Sequence, residues 1–358
     1  MCNVPHREST RHMFCILPPY ILREIARNGT PEQRAAALAT LASDEAFRSV
    51  RTIIAPGPRI TEALPPKRVK VPVKHRMVYD AAGLQQLPGR AIRREGAAAF
   101  GDPAVDEAYD GLGATFDFYL DAYGRNSIDD TGLALDATVH YGARYDNAFW
   151  NGTQMVFGDG DGKLFNRFTV AVDVIGHELT HGVTANEAGL LYLDQSGALN
   201  ESLSDVFGSL IKQYSRKQDA RDADWLIGAG LLAKGVKGVA LRSMKAPGTA
   251  YDDPVLGRDP QPAHMKVFVQ TDDDSGGVHI NSGIPNHAFY LAAVAIGGKA
   301  WEKAGHIWYE SLRDPKLKPN TNFAAFAKLT VAVAGRLYKP GGSEATAVTQ
   351  AWKQVGVL

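Results

Sequence analysis

The chain of 358 residues predicts an α+β protein with a strand-rich first lobe, a helical second lobe and a short helical segment in front. Three observations carry this reading. At about 150 residues per domain, the length allows two domains and a short extra unit. Between Arg76 and Val170, short apolar runs alternate with turn signals at Ala82-Gly83, Pro88-Gly89 and GDGDG (Gly158 to Gly162). From Val172 onward the apolar residues recur at helical spacing.

Residues 1 to 51 read as a separate unit. The PPYIL segment leads into a short helix that breaks at Asn28-Gly29. Thr30 then caps a second helix with Pro31 at its first position, and Gln33 completes a capping box ahead of Arg34 to Ala42. From Thr52 to His75 the composition turns to proline and basic residues, as in an exposed, protease-accessible linker.

The first lobe, residues 52 to 187, carries one amphipathic helix over Pro103 to Tyr123 and ends in a helix over Val172 to Glu187. The second lobe, residues 188 to 358, opens with a helix over Leu199 to Tyr214. There Leu203, Val206, Phe207, Leu210, Ile211 and Tyr214 form one buried stripe, and Glu201 and Asp205 lie on another face. A further helix spans Ile284 to Ile296.

Charge narrows the function classes. The 39 basic and 39 acidic side chains cancel, which removes the broad positive field expected of a nucleic-acid or anionic-membrane partner and leaves activity to a local site. A monomer is the default for so balanced a chain. Both cysteines, Cys2 and Cys15, fall in the first fifteen residues, so no disulfide framework staples the body. Those fifteen residues contain no apolar stretch that reads as a signal peptide, and no later run reaches the length of a bilayer span. The expectation is a chain either retained in the cytoplasm or secreted by a non-classical route.

The chemistry centres on His177-Glu178-Leu179-Thr180-His181, inside an apolar run free of helix breakers. Four residues make about one turn, so both imidazoles share a face. Two neutral imidazoles suit zinc and not calcium or magnesium. A catalytic zinc takes three protein ligands and keeps one position open, and Glu201, 20 positions past His181 on the next helix, is the candidate third. Asp205, one turn further, is placed to accept a ring N–H of a ligating histidine. Glu178, about 100° around the helix from His177, reaches water at the metal without ligating it, as a general base must. His279, in the glycine-rich segment Asp274 to Gly283, is a candidate oxyanion donor, with Asp274 five residues upstream to orient it. GDGDG reads as a tight turn and not a calcium loop, because Lys163 and Val170 stand where oxygen ligands are needed.

HELTH, NESLSD (Asn200 to Asp205), NAFWNG (Asn147 to Gly152), GDGDG, Leu241 to Met244 and GGVHINSG together resemble the thermolysin-like zinc metallopeptidases, from about Val78 to the C-terminus. Cys15 and PPYIL (Pro18, Pro19, Tyr20, Leu22), in a short prosegment, resemble the protealysin branch of that family. The resemblance implies a two-lobed endopeptidase with the zinc helix between the lobes, made as a zymogen whose prosegment blocks the cleft. It implies His177, His181 and Glu201 as ligands of one Zn2+, Glu178 as general base, Tyr192 and His279 as oxyanion donors, and Asp205 and Asp274 as their supports. Arg242 would hold the carbonyl beyond the cleaved bond, and Asn147 and Ala148 would pair with the extended substrate. Phe165, Phe168, Val174, Ile227, Leu231 and Leu241 would form the pocket after that bond; all are apolar, which favours cleavage before Leu, Phe, Ile or Val.

The family's paired calcium site falls on Asp173, Lys212, Asp224, Leu226 and Ala229, and Val239 replaces another calcium-binding acid. Only two of those five positions are acidic, and a lysine intrudes, so calcium is expected to be absent there with Lys212 paired to Asp173. Cys15 reads either as an unremarkable small residue or as a thiolate that caps zinc, the former being preferred. Two alternatives stand beside the endopeptidase. A zinc aminopeptidase needs a shorter spacing and an acidic site for the substrate amine. An inactive peptide-binding relative should have lost Glu178 or His279.

Overall fold

The structure is a computed structural model that describes residues 14–53 and 72–358. Cys2, His6, His12 and residues 54–71 of the expected maturation linker from Thr52 to His75 lie outside the described residues.

The chain enters as strand β1 (Phe14–Cys15), helix α1 (Pro19–Asn28) and helix α2 (Pro31–Ile53). The capping box forms as the sequence predicts. The Thr30 N–H donates to Gln33 Oε1 at 2.9 Å and the Gln33 N–H to Thr30 Oγ1 at 3.4 Å. The first lobe contributes β2 (Arg76–Asp80), β3 (Arg90–Arg94), α3 (Pro103–Tyr123), β4 (Leu135–Val139), β5 (Ala148–Trp150) and β6 (Gln154–Phe157). These strands and β1 form one sheet ordered β1-β5-β6-β4-β2-β3. The edge strand β1 runs antiparallel to β5, with Phe14 opposite Trp150 and Cys15 opposite Phe149. The N-terminal strand therefore completes the sheet that carries Ala148.

Asp102 caps α3 by accepting the N–H of Ala104 at 2.8 Å, with Pro103 at the first helical position. The GDGDG segment closes as a turn, because Asp161 Oδ1 accepts the backbone N–H groups of Lys163, Leu164 and Phe165.

Helices α4 (Val172–Glu187) and α5 (Asp194–Ser215) form the centre of the molecule. Their crossing is close because glycines stand at the contact. A Cβ on Gly208 would lie 2.4 Å from the Asp173 carbonyl oxygen, and one on Gly176 would lie 2.6 Å from Ile211 Cδ1. The α5 helix starts at Asp194, five residues before the expected Leu199, since its first turn (Asp194 to Gly197) is polar and carries no periodic signal. Two short ladders follow, β7 (Leu226–Ile227) with β8 (Arg242–Ser243) and β9 (Asp252–Asp253) with β10 (Gly257–Arg258). Helices α6 (Asp274–Asn281), α7 (Gly283–Ile296), α8 (Ala304–Arg313), α9 (Phe323–Leu337) and α10 (Ser343–Gln354) complete the second lobe. Among the described residues no helix is long and apolar enough to cross a membrane.

Candidate active site

His177 and His181 project from α4 and Glu201 from α5, all three fully buried. The two Nε2 atoms are 3.0 Å apart, and Glu201 oxygens lie 3.4 Å from His177 Nε2 and 3.5 Å from His181 Nε2. Both Nδ1 atoms face acceptors. His177 Nδ1 donates to Asp205 Oδ1 and His181 Nδ1 to Asn200 Oδ1, each at 2.8 Å, with Ser204 Oγ 3.0 Å from the latter. With both Nδ1 atoms so engaged, the two Nε2 atoms face each other and a carboxylate, an arrangement that suits a shared cation. Ligands roughly 2.0–2.2 Å from one tetrahedral zinc stand about 3.3 Å from each other, so the three residues present fit that ion. Glu201 Oε2 accepts no hydrogen bond among the described residues.

The local field asks for positive charge. Burial lowers the His177 pKa, but Asp205 and Glu201 outweigh burial and lift it to about 9. Burial pushes Asp205 up, yet Arg242 and His177 bring it to about 2. The Asp205 carboxylate is held from three sides: Arg242 Nε and Nη2 bind it as a fork, each at 2.8 Å, and Asn286 Nδ2 donates at 2.8 Å.

Glu178 lies behind this cluster. Its Oε2 accepts the Trp150 N–H at 3.0 Å, and its Oε1 accepts no hydrogen bond among the described residues. Burial first, and the Glu201 charge after it, hold its pKa well above the ordinary carboxylate range. Tyr192 OH donates to Glu201 Oε1 and lies 3.2 Å from His279 Nε2. His279 Nδ1 is 2.7 Å from Asp274 Oδ1, and the His279 N–H donates to Asp274 Oδ2 at 2.9 Å. The turn that aims His279 needs left-handed backbone at Ser275, Gly276 and Gly277, and a Cβ at Gly276 would meet Asp194 Oδ1 at 2.1 Å.

The prosegment runs through this cleft. The Ile16 N–H donates to the Ala148 carbonyl at 3.1 Å, and Arg242 Nη1 donates to the Ile16 carbonyl at 3.1 Å. The Leu17 N–H donates to Asn147 Oδ1 at 2.9 Å, and His279 Nε2 lies 3.2 Å from the Cys15 carbonyl oxygen. Asn147 Nδ2 and Tyr145 OH in turn donate to Asp44 of α2, each at 2.8 Å. The Cys15 side chain packs with Tyr141, Tyr145 and Phe149 and does not belong to the metal-competent group. Pro18 caps α1 and Pro19 begins it, so the segment named from the motif starts a helix while Cys15, Ile16 and Leu17 make these contacts with the cleft.

Phe165, Phe168, Val174, Ile227, Leu231 and Leu241, expected to form the pocket after the cut, are all buried in the core that also takes Ile16. At the position where the resemblance implies the family's paired calcium site, Lys212 Nζ lies 2.8 Å from Asp173, 2.8 Å from Asp224 and 2.5 Å from the Leu226 carbonyl oxygen. Sequence reasoning missed Asn200, Ser204, Asn286, Asp44 and the Trp150 N–H. One signal was available for Asn200: a second ligating imidazole needs its own acceptor, and only Asp205 had been assigned.

With this geometry in place, comparison with known proteins identifies the family. Residues 72–185 match the thermolysin metallopeptidase catalytic domain and residues 188–357 the thermolysin metallopeptidase alpha-helical domain, so the chain belongs to the thermolysin metallopeptidases. It is a zinc metalloendopeptidase made as a zymogen. An extracellular metalloprotease of Pectobacterium carotovorum subsp. carotovorum is 55% identical over 348 residues, covering 97% of each chain. The extracellular minor metalloprotease of Serratia marcescens (strain ATCC 21074 / E-15) is 44% identical over 293 residues, 82% of this chain and 80% of that one. The structure of the precursor of protealysin, a metalloproteinase from Serratia proteamaculans, matches with a TM-score of 0.86 and 55% identity over 96% of this chain and 100% of that one.

These names correct the expected location. Relatives called extracellular contradict a chain retained in the cytoplasm and point to secretion. That expectation rested on the polarity of residues 1 to 15, and the hydropathy of one segment does not fix where a protein goes.

Proposed function

We propose that this enzyme hydrolyses internal peptide bonds on the amino side of bulky apolar residues and that its prosegment holds it latent. One observation carries the proposal: two imidazole lone pairs 3.0 Å apart, backed by separate acceptors, beside a buried carboxylate. Zinc held by His177, His181 and Glu201 supplies Lewis acidity toward a carbonyl and toward water.

The chain's own groups do the rest. Glu178, fixed at one oxygen by the Trp150 N–H, takes the proton of the attacking water on the other oxygen and delivers it to the departing nitrogen. Tyr192 and His279 donate to the developing oxyanion, each worth roughly 3–4 kcal/mol in the transition state. Asp274 fixes the His279 ring. Asn147 and Ala148 bind the extended backbone, Arg242 the next carbonyl, and the six apolar pocket residues the side chain after the cut. Ile16, seated through Ala148 and Arg242, supports that apolar preference.

The Lys212 ammonium, surrounded by three oxygens, supports a calcium-free protein at that position, because it supplies the positive charge and repels a second cation. The balanced charge supports a monomer without nucleic-acid or membrane partners.

The test is a blocked internal peptide, with and without 1,10-phenanthroline, on wild type and Glu178→Ala. The expected result is cleavage before Leu, Phe, Ile or Val, loss with the chelator, recovery with zinc, and a rate lower by about 10²–10⁴ in the variant. Preference for a free amino terminus would instead indicate an aminopeptidase, and no hydrolysis after prosegment removal an inactive relative.

A further inference from the structure

We propose that the enzyme cuts its own prosegment at the Cys15–Ile16 bond, a proposal that rests on the peptidase reading above. The prosegment does more than fill the cleft. Among its described carbonyls, the one that meets His279 Nε2 is that of Cys15, at 3.2 Å, and His279 Nε2 is itself 3.6 Å from Glu201 Oε2. The Cys15 carbonyl is thus presented where the oxyanion donor and the metal-competent cluster converge.

The next three contacts fix direction and register. Ile16 N, the nitrogen that would depart, donates to the Ala148 carbonyl, the Ile16 carbonyl accepts from Arg242 Nη1, and the Leu17 N–H reaches Asn147 Oδ1. A reversed chain would set N–H groups against Arg242, and a slip of one residue would turn every side chain to the other face. In this register Cys15 points into the Tyr141, Tyr145 and Phe149 cluster, and the fully buried Ile16 is an apolar residue of the kind expected after the cut.

The step balances without any further reactant. Water adds to the Cys15 carbonyl carbon, Glu178 carries its two protons in turn to Ile16 N, and the C–N bond breaks to give a Cys15 carboxylate and an Ile16 ammonium. The cut removes residues 1–15 only. Residues after Leu17 turn into α1 and α2, and α2 is pinned through Asp44 to Tyr145 and Asn147, so the downstream product stays in the cleft. Self-cleavage at this bond shortens the inhibitor without expelling it, and full activation still needs the linker to be cut.

The experiment incubates the purified full-length, zinc-loaded chain and follows intact mass and N-terminal sequence, with a blocked internal peptide assayed in parallel on a sample freed of its prosegment by cleavage in the linker. The proposal expects a new terminus reading Ile16-Leu17-Pro18-Pro19-Tyr20, absent from Glu178→Ala and reduced at least tenfold in Ile16→Asp. Hydrolysis of the blocked peptide with no Ile16 terminus, or with cuts elsewhere between residues 14 and 18, overturns the inference and leaves the peptidase reading intact. Loss of both reactions overturns the reading itself. A second readout needs no turnover. In Glu178→Ala chains nicked in the linker by trypsin, the prosegment should co-elute with the body on gel filtration, and Ile16→Asp should shorten its retention at least tenfold. Retention unchanged by Ile16→Asp overturns the assigned register.

Discussion

Replacing Lys212 by Met tests most sharply the proposal that its ammonium takes the place of calcium beside Asp173 and Asp224. Methionine keeps the length of the stem and removes the ammonium, which leaves Asp173, 1% exposed, and Asp224 without their shared cation. In the wild type burial lowers the Lys212 pKa, but the two acids outweigh it and keep the side chain charged. Removing one partner of a buried ion pair costs about 3–5 kcal/mol. In a protein of this size that lowers Tm by roughly 4–7 °C. The sign with pH follows from Asp224, which burial pushes up but Lys212 pulls below its ordinary value. Such a group contributes stability above its unfolded pKa and loses it as pH falls through the folded value. The gap between wild type and variant should therefore be full at pH 7 and shrink below about pH 4. Differential scanning calorimetry at pH 7 and pH 3.5, with and without millimolar calcium, reads all of this. Calcium should raise the Tm of Lys212→Met, whose two acids and Leu226 carbonyl are then vacant, and leave the wild type unchanged. A wild type stabilised by calcium as much as the variant, or a variant within about 1 kcal/mol of wild type, refutes the reasoning.

Other predictions concern the supports of the site. Asn200→Ala removes the acceptor of the His181 ring N–H and should weaken zinc affinity by about 10–100-fold, measured by chelator competition. His140 is raised to about 9 by Asp159, against burial, with Asp102 assisting. Its stabilisation is therefore complete below about pH 6.5 and lost as pH rises through about 9, so the Tm deficit of His140→Gln should be present at pH 6 and gone by pH 10. Asp44→Ala deletes the acceptor of Tyr145 OH and Asn147 Nδ2. At roughly 1.5–3 kcal/mol for bonds to a charged group, the nicked prosegment should dissociate about 10–100-fold faster, read by recovery of peptidase activity.

The sequence made the helices near the site legible because their signals are local. The bounds of α3 and α4 coincide with Pro103 to Tyr123 and Val172 to Glu187, set by a proline after Asp102 and by an unbroken apolar run. His177 and His181 were visible from their spacing within one turn. Bringing Glu201 to them depends on the close approach at Gly176 and Gly208, which no periodicity reports. The early start of α5 was hidden for a related reason: Asp194 to Gly197 are polar and look like loop until packed against α6, where a Cβ on Gly197 would lie 2.4 Å from Val278. Asp44 was hidden because a lone acid on a prosegment helix reads as a solvated face; its burial arises only when α2 docks on residues 145–147. Ile16 and Leu17 were overlooked beside the more conspicuous prolines, although strand pairing with β5 is what positions the prosegment.

The central claim is one zinc held by two rings of α4 and one carboxylate of α5. Elemental analysis of the purified chain, joined to X-ray absorption at the zinc edge, tests it most directly. The account predicts one zinc per chain with two nitrogen and one carboxylate-oxygen protein ligands at about 2.0–2.2 Å, lost in His177→Ala while the fold persists by circular dichroism. A chain that hydrolyses peptides without stoichiometric metal, or a zinc shell containing sulfur or lacking the Glu201 carboxylate, would contradict it.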